Sequence, residues 1–137
     1  MSLNADLSGT YTSNNSNFGT IQITVDDSGW VTGSWNGLNW VDTGRQANVP
    51  TTPITPGSLA YFSPGDNNEG ANYIVATAKG SLPSPSVPGF TWMFAVTVSM
   101  YREVNSTGPF TAVVTFMRDG VGNSHQVSPF TVLFTKS

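Results

Sequence analysis

Thr20-Ile21-Gln22-Ile23-Thr24-Val25-Asp26-Asp27-Ser28-Gly29-Trp30-Val31-Thr32-Gly33-Ser34-Trp35-Asn36 is the stretch whose reading decides the fold. Ile21, Ile23 and Val25 alternate with Thr20, Gln22 and Thr24, the period-two pattern of a strand with one apolar face. Asp26-Asp27-Ser28-Gly29 then supplies turn chemistry, because glycine takes a positive φ without steric cost. Trp30 to Asn36 returns antiparallel and completes a hairpin, with Trp30 beside the turn expected at the surface.

Working outward, helical periodicity is nearly absent. Leu7 to Thr12 predicts a strand before the hairpin. Residues 37–71 hold Pro50, Pro53, Pro56 and Pro64, which break any long strand. Only Ser58 to Phe62 can make a short strand there, and the rest reads as an excursion too long to be an idle connection. Strands resume at Tyr73 to Gly80. After the proline loop Ser81 to Gly89 comes Phe90 to Tyr101, with Phe90, Trp92, Phe94, Val96, Val98 and Met100 on its apolar face. Phe110 to Met117 and Gln126 to Thr135 follow, separated by the turn residues Asp119 to Asn123. Seven strands, with an eighth at 58–62, joined mostly by short connections, predict one all-β domain over 1–137. Its expected form is an antiparallel meander closed into a small seven- to eight-stranded β-barrel, since closure removes exposed edges. A β-sandwich is the alternative.

Composition narrows the function. Hydrophobic residues make up 38% of the chain and charged ones only 9%, against about 25% in ordinary soluble domains. Asn, Ser, Thr and Gly replace the missing charge, a surface suited to oligomer formation or to neutral, hydroxyl-rich ligands. The net charge is −3 with five Lys and Arg, none adjacent, which argues against nucleic acid because phosphate binding needs clustered cations. There is no cysteine, hence no disulfide, thiolate nucleophile or Cys-ligated metal. No apolar run approaches the roughly 20 residues of a membrane span, and residues 1–6 do not read as a signal peptide, so no membrane partner is expected and the compartment stays open. Sequons at Asn14 and Asn105 are expected by chance in so Asn- and Ser-rich a chain.

Catalytic constellations are missing. His125 is the single histidine and sits among hairpin glycines. No Gly-x-Ser-x-Gly elbow, metal-ligand spacing or phosphate cradle is present. Asp26 and Asp27 read as turn formers rather than paired acids. The expectation is a binding protein, not an enzyme, with no cofactor. Aromatic residues are the remaining candidates, since Trp and Tyr offer flat apolar area with a polar handle. Trp35 and Trp92 alternate with small or hydroxylated neighbours, as a ligand-lined barrel interior requires, while Trp30 and Trp40 could lie at the surface.

Leu7-Ser8-Gly9-Thr10-Tyr11 followed by Gly29-Trp30-Val31-Thr32-Gly33-Ser34-Trp35 resembles the avidin and streptavidin family, which carries Gly-Thr-aromatic and Thr-Gly-x-aromatic motifs on its first and third strands. Ala78-Lys79-Gly80-Ser81, Phe90 to Val96, Thr111 to Met117 and Pro129 to Phe134 are similar to its fourth to seventh strands. The resemblance implies an oligomeric eight-stranded barrel that binds biotin or a similar small molecule. It places Ser13, Asn17 and Trp35 on a ureido oxygen, Trp92 and Phe130 as aromatic walls and Thr111 as a polar contact. Trp35 stands where the family has a tyrosine, and Gly37 where it has a hydroxyl. The family also continues past the position of Ser137 to an eighth strand with a carboxylate, which the excursion would have to replace. A carbohydrate-binding, lectin-like module and a structural oligomeric subunit without ligand are the alternatives.

Ala95-Val96, Ala112-Val113-Val114 and Val132-Leu133-Phe134 are apolar on both faces of their strands. A water-facing wall should alternate with polar residues, so these strands predict a subunit interface and an even-numbered homo-oligomer, a dimer or tetramer.

Overall fold

The computed structural model describes residues 7–42, 45–64, 70–84, 87–119 and 125–137. The strands are β1 (Gly9–Ser13), β2 (Thr20–Val25), β3 (Val31–Asn36), β4 (Asn39–Asp42), β5 (Arg45–Asn48), β6 (Thr52–Pro53), β7 (Leu59–Ser63), β8 (Ala71–Pro83), β9 (Thr91–Glu103), β10 (Phe110–Asp119) and β11 (His125–Lys136). Nine of them form one antiparallel sheet in the order β6-β3-β2-β1-β11-β10-β9-β8-β7, and β4 and β5 pair as a separate hairpin.

The deciding hairpin forms as its sequence dictates. Gly29 adopts φ 88°, and the Asp26 carboxylate accepts from the backbone N–H groups of Ser28 and Trp30, both at 2.9 Å. Trp30 is 51% exposed. The long strands run slightly past most of their expected ends, with β8 reaching Pro83 inside the proline loop and β9 reaching Glu103, but β9 starts only at Thr91 and leaves Phe90 exposed rather than on the apolar face. The turn at 120–124 lies outside the described residues.

The closed seven- to eight-stranded barrel is corrected to a nine-stranded sheet curled into an open half-barrel. Across the gap between its two ends runs the isolated Trp30–Leu59 bridge, flanked by bonds from Val31 N to the Ser58 carbonyl (2.9 Å) and from Ala60 N to the Gly29 carbonyl (2.7 Å). The physical reason lies in the excursion. Pro53 and Pro56 have no N–H to give to a ladder. The segment therefore laces across, Ile54 N bonding the Gly33 carbonyl on one side and Thr55 N the Thr77 carbonyl on the other. The excursion is also richer than its prolines suggested, holding β4, β5, β6 and β7.

Alternation along the long strands builds the core. Ile74, Ala76 and Ala78 of β8, Val96 and Val98 of β9, Ala112 and Val114 of β10, and Val132 and Phe134 of β11 are all buried. Tyr11 is buried among them, its ring edge-on to Phe110 at 5.2 Å and its hydroxyl donating to the Leu7 carbonyl at 2.6 Å. Burying one such aliphatic or aromatic side chain contributes about 1.5–3 kcal/mol, which offsets the chain entropy lost in ordering the strands.

Candidate functional site

One end of the half-barrel gathers the turn at 14–19, the β4–β5 hairpin and the ends of β3 and β11. A 3₁₀ turn at Ser16–Phe18 links β1 to β2, capped by the Asn15 side chain, which accepts from Asn17 N at 3.0 Å. The Ser13 hydroxyl accepts from Asn15 N at 2.9 Å. Asn14 clamps the turn onto β11, since its N–H bonds the Leu133 carbonyl and its side-chain oxygen accepts from Leu133 N. The turn carries Phe18 inward, where its ring meets Phe130 at 5.0 Å. Phe130 itself is half-exposed.

Trp35 lies beneath this pair with 0% exposure, so no water-sized space touches it. Its indole N–H donates to the Phe18 carbonyl, and its ring sits edge-on to Phe134, whose backbone partner on β1 is Ser13. Ser13, Trp35 and Phe130, spread over more than a hundred residues of chain, thus meet around Phe18 and Phe134, while Asn17 is exposed on the 3₁₀ turn. Gly37 follows β3 here and lies against Gly19. Leu38 and Val49, joined by the bond from Val49 N to the Leu38 carbonyl, close the base of the β4–β5 hairpin. On β4, which runs beside the 3₁₀ turn, Asn39 Oδ1 is buried without a hydrogen-bond partner.

The other two expected site residues lie elsewhere. Trp92 is buried on β9 opposite Leu82 of β8. Thr111 is exposed on the outer face of β10, between Tyr101 and Leu133. The side chain of Trp40 falls outside the described residues.

The outer wall of β7–β11 holds features that the search for tryptophans missed. Tyr61, Tyr73 and Tyr101 occupy one cross-strand row, their rings stacked at 5.0 and 5.6 Å. A sugar stacks on ring faces, but here each face of Tyr73 is covered by a neighbouring ring, so the row stands up as a ridge of edges. At the opposite end a groove of about 610 Å³ opens over Ala95, bounded by Met93, Met117, Val127, Lys79 and Asp119. Between ridge and groove, Thr77, Thr97 and Thr115 form a third row. The second face of each long strand, read with the same period of two, marks most of these residues as outward, but their alignment into rows depends on strand register.

Double-sided apolarity resolves by face. Val96, Val114, Val132 and Phe134 point inward, whereas Val113 and Leu133 are exposed on the outer wall. Among the described residues no cluster of His, Asp or Glu could hold a metal ion. No helix of the described residues is long and apolar enough to cross a membrane. Comparisons with protein-family models, with curated proteins and with solved structures give no match.

Proposed function

We propose that the protein is a non-catalytic small-ligand-binding subunit of a homo-oligomer, avidin-like in build, whose ligand enters at the Phe18–Phe130 end. The observation that carries this reading is the convergence of Ser13, Trp35 and Phe130 on that end from three separate strands, with Asn17 exposed on the turn beside them. Strand order supports the avidin-like build. That support is limited to the β1–β2–β3 order: β11 pairs directly with β1, where the family's eighth strand would stand, and β7 lies at the opposite edge beside β8. The described lining residues carry Ser and Asn groups and aromatic rings but no charge, which suits a neutral heterocycle. The orphaned Asn39 oxygen favours one that presents N–H donors, because an unpaired buried acceptor costs about 1–3 kcal/mol until a donor reaches it. Phe130, Val132 and Phe134 of β11 bring no carboxylate to this end.

Biotin, whose ureido ring carries two N–H groups, is the trial ligand. Its binding raises the melting temperature of the folded chain by mass action. Asn39→Leu removes the orphaned acceptor, so it should leave the free protein at least as stable while abolishing that rise. Neither heat on calorimetric titration nor a melting shift, with biotin and with the isolated ureido ring, would sink the reading.

A further inference from the structure

The threonine row divides the outer wall, with the tyrosine ridge on one side and the methionine-bounded groove on the other. On β9, Tyr101 stands four residues to one side of Thr97 and Met93 four to the other; on β8, Tyr73 and Ser81 flank Thr77 in the same way. On β10 the flanking pair around Thr115 is Thr111 and Asp119. We propose that two copies pack wall to wall about a two-fold axis running along the Thr77–Thr97–Thr115 row, an arrangement that rests on the homo-oligomeric reading above.

Rotation about that axis reverses the strand direction and exchanges the two ends of the wall. The Tyr73–Tyr101 ridge of each copy then lies along the outer rim of the other's groove, Tyr101 with its ring edge against Met93 and Tyr73 over Ser81. Methionine sulfur favours the edge of an aromatic ring, and its unbranched chain adapts to the shape presented. Val113 meets Met117, and the Thr111 hydroxyl faces the Asp119 carboxylate of the other copy. Among the described outward residues of these rows only Lys79 and Asp119 are charged, and each lands opposite a neutral group, Lys79 over Val75. No like charges oppose the contact. Nine residues along β8–β11, with the Tyr61 end of β7, cover about 600 Å² per copy, which reaches the lower bound of about 1,200 Å² in total for a specific interface. A closed isologous dimer is the commonest symmetric outcome.

Sedimentation of the full chain and two single variants tests the axis. Tyr101→Lys and Met93→Glu each put a charge into the apolar contact at an exposed site, so each should lose the dimer while still folding and melting cooperatively, at a temperature no longer dependent on concentration. Combined in one chain, they lie about 27 Å apart and cannot pair within the copy, but across the axis they form two ion pairs. The double variant should therefore recover the dimer. An independent check uses Thr97, which meets its own twin. Thr97→Arg and Thr97→Asp should each be monomeric alone and form a heterodimer when mixed. A monomeric wild type at micromolar concentration overturns the homo-oligomeric reading and the axis together. Dimeric single variants, or a double variant and a Thr97 mixture that stay monomeric, overturn the axis alone.

Discussion

The indole N–H of Trp35 donates to the backbone carbonyl of Phe18 at 2.5 Å, a bond between two buried residues seventeen positions apart that fixes the turn before β2 onto the end of β3. The Phe18 ring is thereby aimed at Phe130. The aromatic lid of the candidate site depends on this bond.

Trp35→Phe removes the donor, leaves the Phe18 carbonyl unpaired and opens space in a fully buried position. The expected cost is about 2–4 kcal/mol, from one unsatisfied acceptor plus a partial cavity. Urea unfolding measures it, and a loss below about 1 kcal/mol would mean that the bond does not hold the turn.

Tyr11 makes stability depend on alkaline pH. Burial pushes its hydroxyl well above the ordinary value near 10, while the positive charge of Arg102 acts in the opposite direction and is outweighed. A folded state that holds the proton more tightly than the unfolded one contributes stability that is fully present below the unfolded value. That stability is lost as pH rises from there toward the folded value. The urea midpoint should therefore fall between about pH 9 and pH 11, and fall less in Tyr11→Phe, where nothing titrates. Equal falls in both proteins would assign the effect to another group.

Gly33 explains physically why a glycine stands in the Thr-Gly-x-aromatic motif. Its φ is 141°, and a side chain there would run into the Gln22 carbonyl of the neighbouring strand. Gly57 also has a positive φ, 99°, but a Cβ on it meets nothing within 4 Å. Gly57→Ala should therefore cost only its backbone strain, about 1 kcal/mol, and Gly33→Ala should cost at least about 1–3 kcal/mol more because the β2–β3 ladder must open. Paired thermal melts decide it, and equal losses would show that the strand accommodates the methyl.

The sequence by itself determined the all-β class, the β2–β3 hairpin and the four long strands. Period-two alternation and the Asp-Asp-Ser-Gly turn act between residues a few positions apart, so Ile21, Ile23, Val25 and Gly29 carry their own instructions. It also marked Trp35 by its alternation with small neighbours, and Ser13, Asn17 and Phe130 only through likeness to a family. Tertiary structure alone decided that the sheet stays open, because Pro53 and Pro56 deny a ladder only once β3 and β8 have come within reach of the same segment. It alone decided that Val113 faces out and Val114 in, a choice that a one-residue slip of β10 would reverse. And it alone brought Tyr61, Tyr73 and Tyr101 into one row. Strand register is set by the summed burial of whole strands, and no local pattern in a single strand contains that sum.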